Sequence, residues 1–421
     1  MASQVLAANG GETTRFAEAG GLRYVARQPI LDLRGRVHGY ELLFRSGTEA
    51  FFQGDGDLAT RTMLDNAIVF GLGKLTSGLP AFLNCTTESL TEELVQVLPA
   101  GMTVLEILET IEPTTSVINA CRKLKAAGFR LALDDFIWRP ELQPLVELAD
   151  YIKVDFALSD AADRKKLLKR LNPITVALIA EKVETQEEYI QARTEGFTLF
   201  QGYYFCRPVL LQNRRVPANR LSQIEILNLM HRDSIDLHRL TDLVKRDASL
   251  TYRLLRLVNS PIYAFRDRVR SVQAALLAVG EQTFRRMAVL AITSELNAGQ
   301  PPEVLRMAFV RGRFCELAAR LCAVDSTEQY LLGMLSLLPA MLLVPMEELT
   351  PSLALRSQIR SALEGHPNPE RVLLDWLECH ERGDWAASDA VIEANGMNQS
   401  EVVGCFGEAV EWAEQALRSV V

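Results

Sequence analysis

The sequence has no Cys-x-x-Cys pair, and its seven cysteines are scattered at 85, 121, 206, 315, 322, 379 and 405. An odd, dispersed set argues against a disulfide framework or a cysteine-rich zinc site, and it fits a reducing cytoplasm. Basic residues are in deficit: 45 Lys+Arg against 53 Asp+Glu leave a net charge of −8. That balance excludes broad nucleic-acid binding, which needs a basic surface, but leaves room for a nucleotide in a local pocket. The N-terminus has no basic segment followed by a long apolar run, so no signal peptide is expected. The longest uncharged run, Tyr330 to Met346, is short for a membrane span and contains Pro339 and Pro345. It is expected to be buried helix, and no membrane contact is expected.

What is present is globular composition, with 48% apolar and 23% charged residues over 421 positions. At about 150 residues per domain that allows two or three domains. Residues 1–21 read as a loose polar arm. Between 22 and 208, short apolar runs alternate with helix-length amphipathic ones. The short runs are Ala81–Leu83, Thr103–Leu105, Arg130–Leu133, Tyr151–Val154, Thr175–Ile179 and Leu199–Phe200. The longer ones are 57–77, 112–127, 160–171 and 185–195. Repeated strand–helix alternation implies a parallel sheet, and this many units in so short a stretch favours a barrel. The start differs, because 24–30 and 37–45 flank Asp32-Leu33-Arg34-Gly35-Arg36 and read as a hairpin. Residues 209–218 read as a linker. Beyond it, 219–421 shows helical periodicity, with Leu250, Leu254, Leu257 and Val258 in one stripe. Ser271 is expected to cap a helix through Val279 that Gly280 ends. The fold class is therefore α/β plus all-α: a TIM-like (β/α) barrel with an antiparallel first strand, then a helical bundle.

Polar residues fall at the strand ends. Glu41, Asn84, Glu106, Glu109, Asp134, Asp135, Lys153, Asp155, Glu181 and Gln201 all end strands or follow them closely. In a βα barrel these ends share one face, where loops build active sites. That many carboxylates in one mouth repel each other unless cations are present. Oxygen and amide ligands without His or Cys favour Mg²⁺ or Mn²⁺ over Zn²⁺. Singly, each acid could be an ordinary helix cap or solvated loop residue; the conjunction points to a shared metal site.

The same residues form ordered motifs. They are Gln28-Pro29-Ile30, Glu41-Leu42-Leu43-Phe44-Arg45, Asn84, Glu106-Ile107-Leu108-Glu109, Asp134-Asp135-Phe136, Lys153-Val154-Asp155, Glu181-Lys182-Val183-Glu184-Thr185 and Gln201-Gly202-Tyr203. In this order they resemble the EAL domain of cyclic di-GMP phosphodiesterases. The resemblance implies two-metal hydrolysis of cyclic di-GMP to linear pGpG with two Mg²⁺ or Mn²⁺ ions. Glu41, Asn84, Glu106 and Asp134 would hold one ion, and Asp134, Asp135 and Glu181 the other. Glu181, Lys153 and Glu41 would be the catalytic residues, with Glu181 the general base and Lys153 orienting water or offsetting charge. Gln28, Leu43, Arg45 and Gln201 would contact the ligand, and Glu109 and Asp155 would support the loops.

Two positions depart from the resembled pattern. The loop after the paired Asp reads Asp135-Phe136-Ile137-Trp138-Arg139-Pro140-Glu141, where the family usually has Asp-Phe-Gly-Thr-Gly-Tyr-Ser-Ser. Trp138 and Pro140 stiffen it. Lys182 stands where the family usually has Gly; pointing into the mouth it would compete with a metal, and the expected direction is toward the following helix.

The second half resembles the HDOD domain, through Asp247-Ala248-Ser249-Leu250-Thr251, Arg253 to Pro261, and Val269 to Leu276. Such domains lack the metal ligands of the related HD phosphohydrolases. The five His residues, 38, 231, 238, 366 and 380, include no His-Asp dipeptide, so no second hydrolase centre is expected. Together the two halves resemble EAL–HDOD signalling proteins. The implied partners are cyclic di-GMP and a protein docked by the bundle, with dimerisation through the barrel common among such proteins. The altered loop sets an enzyme against an inactive sensor or scaffold acting only through protein contacts.

Overall fold

A computed structural model describes residues 23–46, 72–92, 94–172, 174–202, 204, 227, 244, 248–260, 269–353 and 355–420. The expected arm, the linker, Tyr203, His231 and His238 lie outside the described residues.

Eight strands close a barrel in chain order. They are β1 (Arg23–Asp32), β2 (Val37–Ser46), β3 (Ala81–Cys85), β4 (Thr103–Ile107), β5 (Arg130–Leu133), β6 (Tyr151–Asp155), β7 (Ala177–Glu181) and β8 (Leu199–Gln201). β1 runs antiparallel to both β2 and β8, and the other neighbours are parallel. The turn Asp32–Arg36 closes the hairpin with the Asp32 carboxylate accepting from the backbone N–H groups of Arg34 and Arg36. β7 starts two residues later than the apolar run suggests. Its ladder begins where Tyr151 pairs Ala177, so Thr175 and Val176 stay in the approach loop.

Helices pack outside the strands: α1 (Thr115–Ala126), α2 (Ala161–Leu171) and α3 (Gln186–Glu195). Each has a side-chain N-cap, from Thr114, Asp160 and Thr185 respectively. Side chains alternate across each strand, so the barrel interior is layered. Ile30, Phe82, Val104, Ala132, Tyr151, Ile179 and Leu199 form an apolar floor. Two residues further toward the mouth, the same alternation sets Gln28, Asn84, Glu106, Asp134, Lys153, Glu181 and Gln201 in a polar layer. This is the physical reason that strand-end acids converge.

The second half is helical. Its main elements are α4 (Ala248–Val258), α5 (Val272–Val279), α6 (Glu281–Leu296), α7 (Pro302–Ala318), α8 (Ser326–Leu335), α9 (Val372–Glu381), α10 (Trp385–Ala394) and α11 (Gln399–Val420). Ser271 Oγ caps α5 by accepting from the Ala274 amide, and Gly280, at φ +76°, ends it. Leu250, Leu254, Leu257 and Val258 are fully buried, as their stripe requires. The Tyr330–Met346 run is buried as expected, split between α8 and a second short helix. No single helix among the described residues is long and apolar enough to cross a membrane.

The barrel and the bundle have separate apolar cores. Polar contacts join them on the outer side of the β1–β2 hairpin. Tyr40 Oη donates to Glu303 Oε2 at 2.9 Å, and Arg27 Nη2 pairs with Glu414 at 2.9 Å. Arg306 pairs with Glu303 in the same buried group.

Candidate functional site: the barrel mouth

At the centre of the mouth is Lys153, whose side chain is 1% exposed. Its Nζ lies 2.6 Å from Glu106 Oε1, 2.8 Å from Asp134 Oδ1, 2.8 Å from Glu181 Oε1 and 3.2 Å from Glu41 Oε2. Four strands thus aim a carboxylate at one ammonium. Burial works against the lysine's charge, but Glu106, Glu181, Glu41 and Asp134 overcome it and hold its pKa well above the usual range. Burial and neighbouring acids push Glu106 well above the ordinary carboxylate range. Burial first, then the charges of Asp134 and Glu41, raise Glu181 to about 8 against the opposing pull of Lys153. A carboxyl poised this far up can hold or accept a proton near neutral pH.

Gln201 braces this group. Its amide donates to Glu41 Oε2 at 2.6 Å and to Gln28 Oε1 at 2.9 Å. The strand register brings these residues together, since Gln28 pairs Glu41 across the hairpin and Gln201 pairs Ile30. Asn84 and Glu106 are likewise opposite each other on β3 and β4. Arg45 lies on β2, but its side chain is outside the described residues. Glu109 is exposed on the loop after β4, beside the Asp135–Ile137 segment.

The donor chemistry suits a hard cation at the Glu41–Asn84–Glu106–Asp134 set. Asn84 Oδ1 and Glu106 Oε2 are buried with no hydrogen-bond partner, and Glu106 Oε1 meets Lys153 without hydrogen-bond alignment. Oxygens left this way are costly unless a cation takes them up. Among the described residues, however, no three acidic, His or Cys side chains stand around one point at ligating distance. The carboxylates converge on Nζ instead.

Lys182 corrects the sequence expectation. It does not face the following helix but turns into the mouth, where its Nζ bonds Asp155 Oδ2 and stands 3.6 Å from Asp135 Oδ1. The loop backbone causes this. Lys182 has φ +52°, a left-handed conformation costing roughly 1–2 kcal/mol for a residue with a Cβ. It is pinned there because the Glu181 carbonyl accepts from Phe156 N at 3.1 Å and Val183 N donates to the Gln201 carbonyl at 3.0 Å. Gly202 permits that approach, since a Cβ there would overlap the Val183 backbone. Asp135 is also left-handed, at φ +40°.

The mouth opens into a cavity of about 840 Å³, and the bundle forms its far wall. The barrel side includes Gln28, Glu41, Leu43, Asp134, Asp135 and Lys182, and the bundle side includes Arg306, Arg311, Glu381 and Arg382. Gln28 Nε2 donates to the Arg382 carbonyl at 3.0 Å. Gly383 beside it sits so close that a Cβ would lie 2.8 Å from Leu43 Cδ1. The bundle's part in this cavity was not legible in the sequence, because nothing in a linear motif pairs Gln28 with a residue 354 positions away.

A closed β/α barrel with one reversed strand and an acid-lined mouth, followed by a helical bundle, defines a two-domain class. The profile of the EAL domain matches residues 83–208, and that of the HDOD domain matches residues 217–373. The chain is 32% identical over 407 residues to the cyclic di-GMP phosphodiesterase CdgJ of Vibrio cholerae, covering 94% of each. It is 31% identical over 405 residues to the protein YuxH of Bacillus subtilis, covering 94% of this chain and 98% of that one. A complex of Klebsiella pneumoniae BlrP1 with calcium and cyclic di-GMP is similar over 44% of this chain and 57% of its own, with 23% identity and a TM-score of 0.36. The chain belongs to the family of EAL–HDOD proteins. The EAL profile match begins after β2, so Glu41 rests on the barrel geometry and its own motif.

Proposed function

We propose that the chain is a signalling protein whose barrel mouth binds cyclic di-GMP and, with a divalent cation, hydrolyses it to linear pGpG. The observation that carries this reading is the ring of Glu41, Glu106, Asp134 and Glu181 around Lys153, with unpartnered oxygens on Asn84 and Glu106. The name of the Vibrio cholerae relative supports the substrate.

Glu41, Asn84, Glu106 and Asp134 would hold a Mg²⁺ or Mn²⁺ ion, and the resemblance adds a second ion at Asp134, Asp135 and Glu181. Such ions supply Lewis acidity that makes water a nucleophile near neutral pH and offsets charge building on the phosphate. Glu181 takes the proton of the attacking water. Lys153 orients the water or offsets the carboxylates' charge. Gln201 holds Glu41 and Gln28 in register, and Gln28, Leu43, Arg45 and Gln201 meet the dinucleotide. Glu109 and Asp155 support the loops. The bundle, as the far wall of the cavity, senses what the mouth holds and relays it to a protein partner.

A second reading, a sensor that binds without turnover, is favoured by one observation: Lys182 engages Asp135 and Asp155. Incubation of the full chain with cyclic di-GMP and Mn²⁺ or Mg²⁺, followed by chromatography, separates the two. Appearance of pGpG, abolished in Glu41→Ala, supports the enzyme. Tight binding with no pGpG supports the sensor. Unchanged hydrolysis in Glu41→Ala contradicts the site.

A further inference from the structure

The mouth contains a second lysine that the resembled pattern lacks, and its position has a consequence for the cation count. Lys182 is held by more than one contact. Asp155, on the end of β6, is 6% exposed. Its Oδ1 accepts from the amides of Ala157 at 2.7 Å and Leu158 at 3.0 Å. Its Oδ2 is bonded by Lys182. If the lysine swung out to solvent, a buried carboxylate oxygen would lose its cation, which is strongly unfavourable. The side chain is half-exposed, but its charged end is therefore tethered.

The backbone allows little escape. The flanking peptides are fixed by Phe156 and Gln201, and they hold Lys182 left-handed at φ +52°. From that position the ammonium stands 3.6 Å from Asp135 Oδ1, a buried oxygen with no hydrogen bond. Asp135, like Glu181, is a residue a second cation would use and the first cation would not. A dication on Asp135 would share a carboxylate oxygen that already has a tethered ammonium 3.6 Å away, and the two positive charges would repel across it. The other set also meets a lysine, with Lys153 Nζ 2.6 Å from Glu106, 2.8 Å from Asp134 and 3.2 Å from Glu41, but that lysine is part of the resembled two-metal pattern and Lys182 is not. Asn84 Oδ1 and both Glu106 oxygens are free of hydrogen bonds, and Lys153 is the only lysine within 4 Å of Glu41, Glu106 or Asp134 among the described residues.

We infer that the Lys182 ammonium takes the place of one of the two cations, so that this mouth holds a single divalent ion, at Glu41, Asn84, Glu106 and Asp134. The inference rests on the proposed cation-dependent site and specifies its composition. Lys182 acts there as a positioning residue: it neutralises Asp135 and locks Asp155 without touching the ion.

Mn²⁺ binding to the full chain tests this without reference to turnover. Equilibrium dialysis counts the ions, and electron paramagnetic resonance distinguishes an isolated Mn²⁺ from a spin-coupled pair. The expected result is one ion per chain with an uncoupled spectrum. Lys182→Gly, which relieves the left-handed strain and removes the charge, should take up two ions with a coupled spectrum. Lys182→Gln, which keeps the bulk, should also admit the second ion, and this separates charge from space. Two ions in the wild-type chain overturn the inference and leave the proposed site intact. One ion in all three chains also overturns it, because the lysine then does not set the count. No ion in any of them contradicts the cation-dependent site itself, and this inference with it.

Discussion

At the residue scale, the strand-end acids were readable because period-2 alternation and barrel closure leave them one place to go. Glu41, Glu106, Asp134 and Glu181 converge as that argument requires. Lys182 was misread because its direction depends on a left-handed φ that contacts from β8 and the loop after β6 impose. Local sequence carries no sign of those contacts. The raised pKa of Glu181 gives a prediction with a definite sign. Its folded value of about 8 lies above the ordinary 4.5, so between these values the folded chain binds the extra proton. Stability from this group is then fully present below about pH 4.5 and is lost as pH rises toward 8. Melting of the cation-free chain should therefore fall over that window by more than melting of Glu181→Gln. Equal pH slopes in the two chains would contradict the assignment.

At the element scale, the hairpin, the eight strands and the Ser271-capped helix follow from apolar period, turn residues and caps. The crossing of α7 and α8 does not. It depends on Gly312 and Gly333, where the two helix backbones touch. A Cβ on Gly333 would overlap the Arg311 carbonyl, and one on Gly312 would lie 2.5 Å from Met334 Cγ. In sequence these are merely helix-weakening glycines. Gly333→Ala should destabilise the chain by about 1–3 kcal/mol through overpacking. Gly404→Ala, in α11 where a Cβ meets nothing within 4 Å, should stabilise it by roughly 0.5–1 kcal/mol. Urea unfolding of the two variants checks both signs.

At the scale of the whole molecule, a buried polar group lies between the two apolar cores. Arg27, Tyr40, Glu303, Arg306 and Glu414 form it. Arg27 and Tyr40 immediately precede Gln28 and Glu41 in their strands, so the bundle grips the outer side of the strands whose inner side builds the mouth. None of this was legible, since Arg27 and Glu414 are 387 positions apart. Glu303→Ala strands Arg306 without its carboxylate and should cost about 3–5 kcal/mol. Calorimetry should then resolve separate barrel and bundle transitions. A single transition at the wild-type temperature would contradict this account of the interface.

Titration of labelled cyclic di-GMP into the full chain decides whether the mouth is a cation-dependent cyclic di-GMP site. Saturable binding with Mn²⁺ or Mg²⁺, lost on chelation and in Glu41→Ala, is the predicted result. No binding, or binding indifferent to both cation and Glu41, would contradict it.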